Sequence, residues 1–285
     1  MVNYKKTTIG VDVGGTNMKA VLWDGKKILE DYALATPQGN REHFLIMLKA
    51  LINPLMEKAK ENKNKVQGIG VGIAGLCDEK GQKIVLAPNI PILNGFNLSE
   101  KLKEEFDLPV LVDNDANCFL RAEVEIGAVK KYNNVLGITI GTGVGGSWWI
   151  NKEIYKGFRG GSMELGRMVI DSSGEIEAIY QRLGQGNSGN LAEEAYRGDI
   201  LAQKTFEEIG YYLGVACANA VNLLDPEAVV LGGGLLEADD LFLPKLRKTA
   251  QELIMHPGSK NIKILKAKLG KSVGATGAAI QIYLN

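Results

Sequence analysis

Residues 9–23 read IGVDVGGTNMKAVLW, and how this stretch folds decides the rest. Its flanks, Ile9-Val11-Val13 and Met18-Ala20-Leu22, alternate with the two-residue period of β-structure. A plain hairpin would turn on a pair such as Asn-Gly and hide no carboxylate at the end of its apolar run. Here Asp12 stands at that end, beside a backbone that Gly14 and Gly15 leave bare and close to the hydroxyl of Thr16. Bare N–H groups beside a hydroxyl suit phosphate oxygens, and a nearby carboxylate suits a hydrated cation. A glycine-rich turn with a solvated aspartate is the plainer reading, and this segment alone leaves both open.

The same plan returns in GITIGTGVGGSWWI, residues 137–150: apolar strand, glycine-and-threonine turn, apolar strand. The copies lie too far apart for a solenoid repeat. Two similar half-molecules, each offering a Gly/Thr turn to a shared cleft, explain the duplication; chance likeness of two glycine-rich hairpins is the alternative. Around them, KKILEDYALAT (26–36) predicts a third strand. Apolar residues at helical spacing (Phe44, Leu48, Leu51, Leu55, Ala59) predict a helix over 41–62 with a kink at Pro54, and KAKENKNK is its solvated end. VQGIGVGIAG (66–75) and LPVLVDNDAN (108–117) read as strands ending in polar or glycine-rich loops, so the architecture is α/β. DPEAVVLGGGLLE (225–237) is a short β-run capped by Gly232, Gly233 and Gly234 before a helix. There glycines permit either close ligand approach or tight strand–helix packing. The closing LGKSVGATGAAIQIYLN predicts a helix whose small residues pack closely.

Composition narrows the function classes. The 285 residues carry 33 basic and 33 acidic side chains, so no dedicated nucleic-acid or anionic-membrane surface is expected. No apolar run is long enough to span a bilayer, and MVNYKKTTIG does not read as a signal peptide. Cys77, Cys118 and Cys217 are odd in number and widely spaced, which fits reduced thiols in a cytoplasmic protein. With only His43 and His256 and no paired cysteines, no tetrahedral zinc site is expected. Two motifs are discounted. Gly70-Gly72-Gly75 and Gly141-Gly143-Gly146 spell G-x-G-x-x-G, but neither runs into a helix as a dinucleotide site requires. Gly270-Lys271-Ser272 lacks the earlier P-loop glycine, Leu265 standing in its place.

VLVDNDAN places Asp113, Asn114, Asp115 and Asn117 where a buried strand meets a helix, the usual ligand position in α/β sheets. One such residue is explained as a helix cap. A carboxylate beside an amide can also accept a hydroxyl proton while the amide fixes the sugar ring, as phosphoryl transfer to an alcohol requires. The residues alone leave cap and base both standing, with Asp113 as the neighbouring acid expected to matter less.

With these residues in hand, the chain resembles the ROK-family sugar kinases, glucokinase-like members of the superfamily of hexokinase and actin. The resemblance runs through VDVGGTNMK, GIGVGIAG, VDNDAN, ITIGTGVGG, GSMELGR, LDPEAVVLGGG and LGKSVGATGAA, in order and over nearly the whole length. It implies a two-lobed, ribonuclease H-like α/β fold with a central nucleotide and sugar cleft. The first lobe would span 1–112, joined by the closing helix 272–285; the second would span 113–271. It further implies a first phosphate loop (Asp12, Gly14, Gly15, Thr16, Asn17, Lys19) and a second (Gly141, Thr142, Gly143, through Gly146). Gly232–Gly234 fall on the adenosine side, Asp115 is the base, and Asn114, Glu164 and Glu177 contact the sugar.

The departures are informative. Family members mostly carry a zinc motif of three cysteines and a histidine, and that histidine also touches the sugar. Here Arg167 stands in the histidine's place and MVIDSSGEIEAIY replaces the cysteine cluster, so the resemblance points to a zinc-free branch. Arg167 can bind a sugar hydroxyl, reach an anionic substituent, or pair with Glu164. The expected activity is transfer of phosphate from ATP to the 6-hydroxyl of glucose or an amino- or N-acetyl-hexose. Mg²⁺ would be held through water by Asp12, and the protein would be a cytoplasmic homodimer. Polyphosphate as donor and a non-catalytic sugar sensor are the alternatives. The repressors of this family carry a preceding winged-helix segment; with the first loop a dozen residues in, that class is not expected here.

Overall fold

The computed structural model describes residues 5–184 and 188–284. Along the chain run β1 (Lys5–Val13), β2 (Asn17–Trp23), β3 (Ile28–Ala35), α1 (Arg41–Glu61), β4 (Asn64–Ile73), β5 (Leu76–Cys77), β6 (Ile84–Leu86), α2 (Leu98–Phe106), β7 (Val110–Asn114) and α3 (Asp115–Glu125). There follow β8 (Val135–Ile140), β9 (Val144–Ile150), β10 (Glu153–Ile154), β11 (Val169–Asp171), β12 (Gly174–Glu175), α4 (Ile176–Leu183), α5 (Ser188–Tyr196), α6 (Ile200–Leu224), β13 (Ala228–Gly232), α7 (Asp239–Leu253), β14 (Lys263–Lys266) and α8 (Val273–Leu284). They form two compact units. One is Met1–Gly127 with Ile154–Ser162 and Lys268–Asn285; the other is Ala128–Glu153 with Met163–Ala267.

Each unit holds a five-stranded sheet, and the sheets share one plan. The first has the order β3-β2-β1-β4-β7, antiparallel across β3-β2-β1 and parallel across β1-β4-β7. The second has the order β10-β9-β8-β13-β14, with β8–β9 antiparallel and β8–β13 and β13–β14 parallel. In both, the central strand enters a Gly/Thr turn and returns as its antiparallel neighbour. The likeness of 9–23 to 137–150 is thus a duplication of whole sheets.

The alternation read in 9–23 sets the two faces of the first sheet. Ile9, Val11, Val13, Met18, Ala20 and Leu22 are fully buried in one cluster with Phe44, Leu48, Leu51 and Leu55 of α1. That helix is capped by Asn40 and runs through Pro54 to Glu61, so KAKENKNK splits between its last turn and the start of β4. The opposite face takes α8, and small residues decide how closely. A Cβ on Gly10 would strike the Ala275 carbonyl, and one on Gly277 would strike the Cys118 carbonyl of α3. Backbone therefore lies against backbone, and Thr8 Oγ1 donates to the Ala279 carbonyl at 3.0 Å across this seam. The first unit extends to Gly127 because α3 packs on α8.

In the second unit, Leu136, Ile138, Val229 and Leu231 of the sheet pack with Phe206, Ile209, Leu213 and Val221 of α6 and with Phe242 and Leu246 of α7. Cys77, Cys118 and Cys217 are buried free thiols. Among the described residues no helix is long and apolar enough to cross a membrane.

Candidate active site

In the first unit the parallel strands β1, β4 and β7 end together. Asp12 is in register with Gly72 and Gly72 with Asp113; one step on, Val13, Ile73 and Asn114 align. Asp12 and the start of α3 are therefore about two strand spacings apart, on the order of 10 Å. Asp12 is half-buried, with Gly274 of α8 against its carboxylate. Burial pushes its pKa up to about 6. Lys19 is the cross-strand partner of Asp12, yet its ammonium pairs with Asp31 at 3.0 Å. So Lys19 stands on strand β2, outside the turn itself, while Gly14, Gly15 and Thr16 form the turn and exposed Asn17 opens β2.

The polar run 113–117 divides its labour sharply. Asp113 is 2% exposed and saturated. It meets Arg121 Nη2 at 2.6 Å and Lys156 Nζ at 3.2 Å, and accepts from Asn117 Nδ2 and its neighbour's N–H, each at 2.9 Å. Those cations hold its carboxyl below the usual range against the opposing effect of burial. Asn114 is the N-cap of α3: its Oδ1 accepts from Ala116 N at 2.9 Å and Asn117 N at 3.2 Å. Its Nδ2 donates to the Gly75 carbonyl at 3.0 Å, which leaves one amide proton for a ligand. Asp115 comes next, half-buried in the first helical turn, its Oδ1 sharing the Ala116 N–H at 2.9 Å. Asn114 is the N-cap, and Asp115 adds a contact to one of the two N–H groups that Asn114 already satisfies. Arg121, Asn117 and Lys156 were not singled out as partners of Asp113 from sequence. Asn117 and Arg121 recur at i and i+4 on α3, a spacing that could have shown them.

In the second unit β8 and β13 also end together, Thr139 in register with Gly232. The turn Gly141-Thr142-Gly143 closes with Gly141 N–H donating to Gly143 O at 2.9 Å. Beside it Gly233 has φ +97°, and a Cβ there would strike the Ile140 carbonyl, so only glycine fits. Gly234 opens a short 3₁₀ turn with open space around it. Helix α4 grips the β8–β9 turn from one face. Glu177 Oε2 accepts from Val144 N at 2.9 Å, Tyr180 Oη donates to Gly141 O at 2.9 Å, and Gln181 Nε2 donates to Thr142 O at 3.3 Å. Positions i, i+3 and i+4 share a helix face. Tyr180 and Gln181 went unremarked in the sequence, although that spacing from Glu177 marks them.

Glu164 precedes the 3₁₀ turn Leu165–Arg167. Burial raises its pKa, partly offset by the Arg167 charge and reinforced by Glu177. Arg167 pairs with Glu175 at 3.0 Å on the surface, so of the three roles open to it the ion pair is made with Glu175 and not with Glu164. Among the described residues no cluster of three or more His, Cys, Asp or Glu could hold a metal. Asp12 offers a single oxygen-donor carboxylate whose burial no basic side chain offsets, which fits a hydrated hard cation carrying the missing counter-charge.

Comparison with known proteins places this geometry in a family. The ROK family model matches residues 8–283. A glucokinase of Halalkalibacterium halodurans is 29% identical, over 94% of this chain and 92% of its own. A xylose repressor of Bacillus spizizenii is 26% identical, over 95% of this chain and 75% of its own. Among solved structures, a ROK family glucokinase from Streptomyces griseus in complex with glucose and AMPPNP superposes with a TM-score of 0.84. It is 28% identical and covers 98% of this chain and 100% of that one. The fold is accordingly the two-lobed α/β fold of actin-like sugar kinases.

Proposed function

We propose that this chain, which belongs to the ROK family, transfers the terminal phosphoryl group of ATP to the 6-hydroxyl of a hexose, glucose or an amino- or N-acetyl-hexose. The observation that carries the reading is the division between Asn114 and Asp115. Asn114 is the N-cap of α3, accepting from both Ala116 N and Asn117 N, and Asp115 follows it at the sheet edge where Asp12 also lies, sharing only the first of those N–H groups.

In this reading the sugar hydroxyl is held by the remaining amide proton of Asn114 and gives its proton to Asp115. Its oxygen then attacks the terminal phosphorus as the bond to the ADP oxygen breaks. Glu164, Glu177 and Arg167 of the second unit are the further sugar contacts. Gly15 and Thr16 in the first turn, and Thr142 and Gly143 in the second, offer N–H groups and hydroxyls to phosphate oxygens, and Gly232–Gly234 give adenosine a surface free of side chains. Asp12 would hold, through water, a Mg²⁺ ion that would supply positive charge to the phosphates.

The test is sugar-phosphate formation across a panel of hexoses and amino-hexoses, each with ATP (read also as ADP release) and with polyphosphate. Sugar phosphate formed from one sugar far above the others supports the reading; no transfer from either donor to any of them sinks it. The likeness to a xylose repressor motivates a second reading, sugar binding without transfer. Calorimetric sugar binding without sugar-phosphate formation from either donor would favour it.

A further inference from the structure

We propose that Thr36 and Gln38 in the first unit, and Tyr180 and Gln181 in the second, are positioning residues that aim the two Gly/Thr turns at phosphate; this rests on the kinase reading. The observation is what becomes of the turns' carbonyl oxygens. In the first turn, Gly14 O accepts from Thr36 Oγ1 at 2.7 Å and Thr16 O from Thr36 N at 2.8 Å. Gly15 O, between them, accepts from Gln38 Nε2. In the second turn, Gly141 O accepts from Tyr180 Oη, Thr142 O from Gln181 Nε2, and Gly143 O from the Gly141 N–H. All six carbonyls are engaged. Among the described residues, by contrast, no hydrogen bond takes the N–H groups of Gly15, Thr16, Thr142 or Gly143.

That asymmetry has a chemical consequence. A carbonyl oxygen pointing into the turn's mouth would repel a phosphate oxygen, whereas a run of N–H groups attracts it. With every turn carbonyl engaged, the backbone groups that the two turns have left to offer a ligand are the donors. Duplication does not account for the device, because the donors are not equivalent. Thr36 and Gln38 follow β3 directly, while Tyr180 and Gln181 lie on helix α4, which enters after two further strands. Two unrelated sets of side chains arrive at the same arrangement, as expected if the anion and not ancestry selects it.

The experiment compares the parent with Gln38→Ala, Gln181→Ala and the double variant Tyr180→Phe/Gln181→Ala. Three quantities are read for each: the KM for ATP, the KM for the sugar, and Tm. A lost net hydrogen bond predicts a rise of about three- to tenfold in the KM for ATP, with the sugar KM within twofold. Unchanged KM for ATP in an active parent's variants overturns the proposal and spares the kinase reading. So does a matching rise in both KM values with a falling Tm, which marks a purely structural role. If the parent transfers no phosphate, the kinase reading fails, and AMPPNP binding by calorimetry decides the positioning role instead. Severalfold weaker binding by the variants supports it; equal binding, or no binding of AMPPNP by the parent, overturns it.

Discussion

Asp113 and Arg121 form an ion pair at 2.6 Å inside the first unit, the aspartate 2% and the arginine side chain 9% exposed. Lys156 brings a second cation to the same oxygen from the segment Ile154–Ser162. Removing one partner of a buried pair leaves the other charge stranded, at a cost of about 3–5 kcal/mol. Asp113→Asn should therefore lose stability on that scale by urea or thermal unfolding. Its turnover, expected to fall much less than that of Asp115→Asn, is therefore to be measured well below its Tm. A variant as stable as the parent would mean that Arg121 finds water or another acceptor.

The parts of this picture legible in sequence are those with a period or a compulsory residue. The strand–turn–strand of 9–23, its copy at 137–150 and the close-packed last helix rest on alternation and on glycine, and all three stand in the structure. What was not legible depends on pairing across distance. Asp113, Asn114 and Asp115 are three consecutive polar residues, and beyond the shared helix face of Asn117 and Arg121 nothing local says which of the three is buried and which one caps. Their difference comes from where β7 ends and α3 begins: Asp113 and Asn114 close the strand, and Asp115 opens the helix. Likewise Arg167 had several acidic candidates nearby, and only the β11–β12 hairpin settles on Glu175.

Asp115→Asn separates base from scaffold. Because Asn114 already caps α3, the substitution should leave Tm close to the parent's. An amide has no useful basicity at neutral pH, so turnover with the best sugar should fall by about 10²- to 10⁴-fold while sugar affinity stays within severalfold. Near-parental turnover would remove Asp115 from the chemistry. Asn114→Ala should instead cost about 0.5–2 kcal/mol of stability through the lost cap.

Burial holds the Asp12 carboxyl protonated up to about pH 6, against 3.8 for an ordinary aspartate. Between those values the folded state binds more protons than the unfolded one, so stability falls as pH rises through this window and stays lower above it. Asp12→Asn removes the buried charge. Without magnesium, the variant should gain stability over the parent at pH 7.5, on the order of 1–3 kcal/mol, and lose that advantage near pH 4. Millimolar Mg²⁺ should raise the parent's Tm at pH 7.5 and leave the variant's unchanged. Parallel Tm–pH curves for the two proteins would contradict the buried-charge account.

The last prediction concerns Arg167. Its pair with Glu175 is solvent-exposed, with side chains 55% and 38% accessible, and such pairs are worth at most about 1 kcal/mol. Arg167→Ala should therefore leave unfolding almost unchanged, and any functional effect must come from a ligand contact. A guanidinium donates hydrogen bonds and accepts none, so it can favour sugars that offer an acceptor or an anionic group there. Loss of one charge-assisted bond, about 1.5–3 kcal/mol, predicts a rise of roughly 10- to 100-fold in the KM for the preferred sugar and a smaller change for sugars lacking that group. Arg167→Lys keeps the charge but not the planar fork, so it should recover little of the lost affinity. Equal sugar KM values for the parent and Arg167→Ala across the whole panel would assign Arg167 to the surface alone.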